Sequence, residues 1–428
     1  MPLPRPRHQH PERRLTPDLA DNTRALAWAR AERDNLLACL DQATVTGQHA
    51  RVIALTAATA SLLRHDGPWT SAITRHVAAV QAARHLGDQL AQANALTDLG
   101  DVRRLTGDYR AAAQALEQAL GIARDIADQL GQANALHDLG IVRLVTGDYR
   151  AAAQALEQAL SIARDIGNRL GQGNALQTLG DVRLVTGDYR AAAQALEQAL
   201  SIARDIGNRL GQGNALQTLG MVRRLTGDYR AAAQAHEQAL SIARDIGNRL
   251  GQGSALQTLG MVRRLTGDYR AAVQALEQAL SIARDIGDRL GQANALNTLG
   301  SVRRLTGDYP AAEQALEQAL NLTRDIGNRG GEAEILNETG ELYRVRGDPG
   351  RAANYHRQAL ALSREIASLR DEACALAGLG RCVLALGRTS DAAENLRQAR
   401  DIFQRIGAAE ATDVAAELDG LSGPGPTA

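Results

Sequence analysis

The chain repeats the segment GDYRAA at residues 147–152, 187–192 and 227–232, so each copy begins 40 residues after the last. A fixed period of about 20 to 50 residues is typical of solenoids, in which each unit buries its apolar face against its neighbours. The sequence therefore predicts a long binding surface, and a binding protein rather than an enzyme with an enclosed pocket. The opening glycine recurs without insertion or deletion at Gly107, Gly147, Gly187, Gly227, Gly267, Gly307, Gly347 and Gly387.

Apolar residues within one repeat follow the spacing of two helices. Steps of three and four residues join the apolar positions of the second helix, which are Tyr149, Ala152, Ala153, Leu156, Ala159, Leu160, Ala163 and Ile166. The preceding stretch has the same spacing at Ala133, Leu136, Leu139 and Gly140, which predicts a first helix of similar length. Gly147 and Gly167 suit the left-handed position after a helix, and Asp148 and Asn168 can cap the helix that follows. Each repeat is predicted to be helix A, a turn, helix B and a second turn.

These positions resemble the tetratricopeptide repeat signature, in a longer form of 40 residues rather than about 34. The resemblance implies an all-α fold, a right-handed superhelical solenoid of antiparallel helix pairs. It rests on Leu136, Leu139, Gly140, Gly147, Tyr149, Ala152, Leu156 and Ala159. Arginine replaces the usual tyrosine of the signature at Arg103, Arg143, Arg183, Arg223, Arg263 and Arg303. We expect each of these arginines to pair with a helix B acid such as Glu117 or Glu157.

The resemblance divides the chain into five segments. The tandem array of 40-residue repeats is expected over residues 89–407, after an N-terminal helical cap with one divergent repeat over residues 18–88. A C-terminal capping helix is expected over residues 408–421. The basic, proline-rich residues 1–17 and the residues 422–428 are expected to be disordered tails.

The N-terminal cap begins with a predicted amphipathic helix that includes Trp28 and Leu40. This stretch resembles the helical lead-in to the repeat arrays of actinobacterial NB-ARC/TPR regulators. The sequence contains no nucleotide-binding half, so the resemblance implies a standalone or detached sensor array.

Composition argues against several classes of function. The 48 basic and 48 acidic residues cancel, so no overall field attracts nucleic acid or an anionic membrane. The basic residues are all arginine, and the lack of lysine excludes a Walker A loop and Schiff-base chemistry. No apolar run approaches the ~20 residues of a membrane span. We expect a cytoplasmic protein, since its three cysteines are few and scattered: Cys39, Cys374 and Cys382.

Motifs for chemistry are lacking in the sequence. The nine histidines form no His-Glu-x-x-His pair and no zinc-type spacing with cysteine, so we predict no metal, no cofactor and no catalytic residue. His236 replaces the leucine found at Leu196 and Leu276, which predicts a partly buried, neutral histidine. Paired arginines such as Arg223 and Arg224 can track phosphates, but nearby acids and an aromatic content of 3% argue against nucleic acid as a partner.

Three nearly identical copies, residues 161–200, 201–240 and 241–280, differ from one to the next at only seven positions. Three of these differences fall on one stripe of helix A, opposite its predicted core positions. The resemblance implies that helix A lines the concave wall of the solenoid, where a ligand binds. Recent duplication with drift on a solvated face is the alternative explanation. The three differences are Asp181 to Met221, Leu184 to Arg224 and Asn214 to Ser254.

We predict that this stripe binds a peptide or a helix of a partner protein, so that the chain acts as a protein–protein interaction scaffold. Met221 and Met261 would give an apolar floor, and Arg224 and Arg264 can meet a carboxylate, which favours a partner with acidic and apolar residues. The alternative function is a regulator that senses a peptide or small molecule and controls a partner or transcription. The oligomeric state stays open. The candidate contact residues are Asn134, His137, Ile141, Asn174, Gln177, Asp181, Asn214, Gln217, Met221, Arg224, Ser254, Gln257, Met261, Arg264, Asn294, Asn297, Ser301 and Arg304.

Overall fold

The computed structural model describes residues 22–422, which fold into 21 α-helices and contain no β-strand. The predicted tail 1–17 and residues 423–428 of the second predicted tail lie outside the described residues. The predicted all-α fold of antiparallel helix pairs is confirmed. The helices are α1 (Asn22–Ala31), α2 (Arg33–Val45), α3 (His49–Asp66), α4 (Trp69–Leu86), α5 (Gln89–Leu105), α6 (Tyr109–Asp125), α7 (Gln129–Val145), α8 (Tyr149–Asp165), α9 (Arg169–Val185), α10 (Tyr189–Asp205), α11 (Arg209–Leu225), α12 (Tyr229–Asp245), α13 (Arg249–Leu265), α14 (Tyr269–Asp285), α15 (Arg289–Leu305), α16 (Tyr309–Asp325), α17 (Arg329–Val345), α18 (Pro349–Glu365), α19 (Leu369–Ala385), α20 (Thr389–Arg405) and α21 (Glu410–Ser422).

The chain divides into two compact units, with the boundary between Ile202 and Ala203 inside α10. We call them unit 1 and unit 2. From α5 to α20, the odd-numbered helices are helix A of a repeat and the even-numbered helices are helix B. Each of these helices has 17 residues, as α7 and α8 show, and three residues separate it from the next.

Glycine and a capping side chain form the turns between helices, as predicted. Gly147 and Gly167 have φ of 83° and 68°, in the left-handed region that glycine adopts without a steric cost. Asp148 then accepts a hydrogen bond from the backbone N–H three residues on at 3.2 Å, and Asn168 does the same at 2.9 Å. These bonds satisfy amide groups that have no partner within the helix.

Two residues that precede a helix A, as Asn168 does, make no such bond. The side chains of Asp128 and Ser368 accept no hydrogen bond from the helices that follow them. In both turns, alanine replaces the preceding glycine: Ala127 has φ of 54° and Ala367 has φ of 55°. A left-handed alanine costs roughly 1–2 kcal/mol, so these two turns are weaker than the others.

Helix A and helix B of one repeat approach each other through a glycine. A methyl group at Gly140 would lie 2.5 Å from Cγ of Leu156, so only glycine fits there without a shift. Ala152, Leu156 and Ala159 are 0%, 0% and 2% exposed. The small residues of the signature therefore lie where the two helices pack most closely.

Gly140→Ala is expected to lower the free energy of unfolding by about 1–3 kcal/mol, because the added methyl overpacks the contact with Leu156. Gly121→Ala is the matched control, since Gly121 lies on α6 and a methyl there would meet no atom within 4 Å. That change should stabilise the protein by roughly 0.5–1 kcal/mol, as alanine does within a helix. Urea unfolding followed by circular dichroism measures both, and equal effects of the two changes would contradict the packing.

The prediction of one helix through Trp28 and Leu40 is wrong, because the N-terminal cap begins with two helices, α1 and α2. A turn at Glu32 separates α1 from α2, with φ of −94° and ψ of 7°, whereas a helix has about −63° and −42°. The Glu32 carboxylate accepts a hydrogen bond from Nδ2 of Asn35 at 2.7 Å. Leu40 is fully buried, whereas Trp28 is 36% exposed.

The C-terminal helix α21 covers part of the last helix pair. Val414 and Leu418 are 1% and 7% exposed and belong to one apolar cluster with Leu376, Leu396 and Phe403. Arg381 of α19 also pairs with Glu417 of α21 at 2.6 Å. Both apolar packing and an ion pair thus hold α21 in place.

Candidate partner-binding face

The predicted contact residues lie at corresponding positions of helix A in successive repeats, and we call them the helix A face. Ser301 is buried, with 5% of its surface exposed, so it offers little surface to a partner. The exposed members are Asn134, Asn174, Asn214 and Ser254. The half-buried members are His137, Ile141, Gln177, Asp181, Gln217, Met221, Arg224, Gln257, Met261, Arg264, Asn294, Asn297 and Arg304.

In unit 1, polar side chains join neighbouring helices A. Nε2 of His137 on α7 lies 3.3 Å from Oγ1 of Thr178 on α9, and its Nδ1 lies 3.1 Å from Asp138. Gln177 donates to the Asp181 carboxylate at 3.2 Å. The structure therefore joins α7 to α9 at His137 through Thr178, which is buried and was not among the predicted contact residues.

Acidic groups gather on the same surface closer to the N-terminus. Arg64 of α3 pairs with Asp101 of α5 at 3.4 Å, and Arg104 pairs with the same carboxylate at 2.6 Å. Burial raises the pKa of Asp98 to about 6, and the nearby charges of Asp101 and Asp138 add to this effect while that of Arg64 opposes it. This part of unit 1 is the more acidic part of its helix A face.

In unit 2, amide side chains carry the connections between helices A. Nε2 of Gln217 donates to Oγ of Ser254 on the next helix A at 2.9 Å, and Nδ2 of Asn297 donates to Glu334 at 3.1 Å. Met221 and Met261, between these polar residues, are half-buried. The surface thus combines fixed polar groups with two flexible thioether side chains.

Three buried histidines share one helix B position in repeats that otherwise carry leucine there. His76 and His236 are 160 residues apart, and His356 follows 120 residues later. They are 0%, 0% and 2% exposed, so His236 is fully rather than partly buried. Burial lowers the pKa of each to about 4, which keeps the rings neutral at pH 7. Only His236 was predicted to be buried, although His76 and His356 stand at the same place in the 40-residue register.

His236 supports the helix A face from behind. Its Nδ1 lies 2.9 Å from Oε1 of Gln217 on α11 and 3.1 Å from Oγ1 of Thr258 on α13. Its Nε2 is buried and has no hydrogen-bond partner among the described residues. The ring therefore fixes two neighbouring helices A at the position of Gln217.

Four of the arginines that replace the signature tyrosine pair with a helix B acid as predicted: Arg143, Arg183, Arg263 and Arg303. Arg103 forms no ion pair within residues 22–422 and donates to the carbonyl of Ala111 instead. Arg143 and Arg183 lie 3.8 Å and 3.7 Å from Glu117 and Glu157. Arg143 also donates to the carbonyl of Ala151 at 3.3 Å. These arginines hold helix A against helix B and have a structural role.

Tyr343 stands at this position in α17, and the groove beside it is larger than its counterparts. The cavity has a volume of about 560 Å³ there, against about 430 and 380 Å³ at the corresponding places one and two repeats earlier. Tyr343 stacks on Tyr355 with ring centroids 5.4 Å apart and donates a hydrogen bond to Glu313. This second surface lies outside the helix A face.

Neither a metal site nor a membrane span is present in residues 22–422. In this range no three His, Cys, Asp or Glu side chains are placed to hold a metal ion. No helix within it is long and apolar enough to cross a bilayer.

The repeats match the family model for the tetratricopeptide repeat over residues 52–125, 131–205, 173–245, 211–285, 253–325, 291–365 and 331–405. The chain belongs to the tetratricopeptide repeat family. No curated protein matches the sequence of this tetratricopeptide repeat protein.

Solved structures of tetratricopeptide repeat proteins share the fold at low sequence identity. A signal transduction ATPase with numerous domains and a tetratricopeptide repeat sensor, from Pyrococcus horikoshii, is 15% identical with a TM-score of 0.61; the match covers 86% of this chain and 55% of that protein. The apo quorum sensor NprR from B. thuringiensis is 12% identical with a TM-score of 0.61 over 78% of this chain and 96% of the sensor. A Rap protein complexed with competence and sporulation factor is 13% identical with a TM-score of 0.55; the match covers 86% of this chain and 97% of the Rap protein.

Proposed function

We propose that this protein is a non-enzymatic scaffold in the cytoplasm, whose helix A face binds a peptide or a helical segment of a partner protein. The observation that carries the proposal is the row of half-buried side chains around Met221 and Met261, next to the hydrogen-bonded pair of Gln217 and Ser254. Flexible thioethers adapt to apolar side chains, and fixed amides recognise polar ones. In this proposal residues 89–407 supply the binding array, and residues 18–88 and 408–421 cap its ends.

The proposed partner carries acidic and apolar residues. Neutral net charge and few aromatic side chains argue against nucleic acid and an anionic membrane as partners. The proposal involves no cofactor and no metal. It is supported by the fold shared with a quorum sensor and with a Rap protein that was solved with its factor bound.

A sensing role is the second candidate. The fold is shared with an ATPase that carries a tetratricopeptide repeat sensor. In this role the same face would bind a peptide or small molecule, and the protein would then control a partner or transcription. Binding at Gln217 could reach the core through His236, which lies 2.9 Å from it.

Site-specific photocrosslinking tests the proposed face. A benzophenone amino acid at Gln257, on the helix A face, is expected to capture one defined partner in cells that express the protein. The same group at Arg270, an exposed residue of helix B, is the matched control and should capture none. Adducts from Arg270 and none from Gln257 would show that the binding face is helix B. Mass spectrometry of the adducts identifies the partner and the segment that is bound.

A further inference from the structure

Arginine occupies one position of helix A in four successive repeats of unit 2, and we call these residues the arginine row. Arg304 shows what this position binds. Its guanidinium lies 3.5 Å from Glu338 and 3.9 Å from Glu341, both on the next helix A. The row consists of Arg224, Arg264, Arg304 and Arg344.

Two further arginines at the same position also bind carboxylates. Arg344 pairs with Glu341 on its own helix at 2.7 Å. In unit 1, Arg64 pairs with Asp101 on the following helix A at 3.4 Å, across the same 37 residues that separate Arg304 from Glu341. This position is therefore built to meet a carboxylate from its own or the next helix A.

Arg264 differs in this respect from Arg304 and Arg344. Arg304 meets glutamates 34 and 37 residues further on, but the residues at these distances from Arg264 are Thr298 and Ser301. On its own helix, Met261 stands where Arg344 has the acid Glu341. No ion pair joins the Arg264 guanidinium to a carboxylate in residues 22–422. The Ser301 hydroxyl is buried and has no hydrogen-bond partner there either. Short, uncharged side chains therefore occupy the place where a carboxylate would be expected.

Glu341, which lies beside Arg304 and Arg344, shows that this face stabilises a negative charge. Burial by itself would raise the pKa of Glu341, but the hydrogen bond from Arg344 and the charges of Arg344, Arg304 and Arg381 bring the pKa below its usual range. A half-buried carboxylate thus stays ionised beside the arginine row. An incoming carboxylate beside Arg264 would meet one full positive charge with no internal competitor.

We propose that Arg264 recognises a carboxylate of the bound segment, which takes the place that Glu338 and Glu341 take beside Arg304. The inference rests on the proposed function and names the chemistry at one point of the proposed face. A planar guanidinium donates two parallel N–H groups to the two oxygens of a carboxylate, which gives direction as well as charge. An aspartate or glutamate side chain and a free chain end both supply this group.

The first test needs no ligand. Thr298→Glu places a carboxylate where Glu338 stands in the next repeat, and Thr298→Gln is its uncharged control of the same shape. We expect the glutamate variant to melt a few degrees above the glutamine variant at low salt, with a smaller difference in 1 M salt. The difference should vanish when Arg264→Gln is added. If the two variants melt at the same temperature, or if their difference persists when Arg264→Gln is added, a carboxylate at this place does not meet Arg264 and the inference is wrong.

The second test identifies the source of the carboxylate. Two random dodecapeptide libraries, one with a free C-terminus and one amidated, are passed over the immobilised full-length protein. Enrichment of aspartate and glutamate in the amidated library would identify a side-chain carboxylate. Enrichment confined to the free-ended library would identify a chain end. The selected peptides should bind Arg264→Gln at least about 10-fold more weakly, and Arg270→Gln, on the exposed side of helix B, with unchanged affinity.

Failure of this inference is distinguishable from failure of the proposed function. The role of Arg264 would be overturned if the selected peptides show no preference for a carboxylate, or if they bind Arg264→Gln and the unchanged protein with equal affinity. Either result would leave the proposed binding face intact. If neither library yields a peptide that binds, the result counts against both the role of Arg264 and the proposed binding face. Circular dichroism of Arg264→Gln confirms that a loss of binding is not a loss of folding.

Discussion

Acidification from pH 7 to pH 4 is expected to lower the free energy of unfolding by about 3 kcal/mol for each of His76, His236 and His356. Burial lowers the pKa of each ring from 6.5 to about 4. The unfolded chain therefore takes up a proton as the pH falls below 6.5, and the folded chain does so only near pH 4. At about 1.4 kcal/mol for each pKa unit, the stability present above pH 6.5 is lost across this window.

Other groups titrate in the same range, so the histidine effect needs a specific control. The charge of Asp101 raises the pKa of His76 slightly, and that of Arg224 lowers the pKa of His236 further. Asp98 acts in the opposite direction, because its raised pKa of about 6 makes the folded state of unit 1 bind a proton first. The effect is therefore expected to be clearest at His236 in unit 2.

His236→Leu isolates the histidine contribution, because leucine is the residue at this position in the next copy, at Leu276. The variant should lose less stability than the unchanged protein between pH 7.5 and pH 4.5, by about 2–3 kcal/mol. Thermal melts of both proteins at the two pH values measure the difference. If the gap between variant and unchanged protein is the same at both pH values, the ring is already charged or already exposed in the folded state.

Local patterns made most of the fold predictable from the sequence. Gly147 and Asp148 mark a turn through backbone conformation and capping, and both effects act within a few residues. Leu156 is predictable as core because the 3.6-residue period places it on the apolar stripe of helix B. The turn at Glu32 was not predictable in this way, since the apolar spacing continues through it.

Contacts between repeats limited the prediction of the candidate face. The sequence shows that Ser301 stands where Met261 stands one repeat earlier, but not that Ser301 is buried while Met261 is half-buried. The spacing by which Arg304 meets Glu338 on the next helix A could not be predicted either, because it depends on how helices A stack. Once that spacing is known, the sequence shows that Arg264 has no acid at the corresponding positions of the next helix A.

Changing both Met221 and Met261 to aspartate is expected to weaken partner binding by about 100-fold or more while the fold stays intact. Partner binding loses two apolar contacts on the proposed face, each of about 1.5 kcal/mol or more. Folding should be retained because Asp181 occupies the same position in the nearly identical copy 161–200, where it is half-buried as the methionines are. Circular dichroism and thermal melting measure the fold, and fluorescence anisotropy with a selected peptide measures binding.

The new carboxylates should also neutralise the arginines that follow them. Asp101 pairs with Arg104 at 2.6 Å and Glu341 pairs with Arg344 at 2.7 Å, three residues apart on one helix as Met261 and Arg264 are. The double variant therefore removes the apolar floor and occupies the cation that an acidic partner needs. Any preference of the selected peptides for acidic residues should disappear with the affinity.

Changing both methionines to leucine is the matched control, because it keeps the apolar floor and leaves Arg264 unpaired. This variant should bind within a few-fold of the unchanged protein, since volume-conserving apolar exchanges cost little. Unfolding of the aspartate variant would mean that the methionines belong to the core and that the helix A face is wrongly assigned. Full-strength binding by a folded aspartate variant would place the partner elsewhere, and the differences between the copies along this stripe would then be drift after duplication.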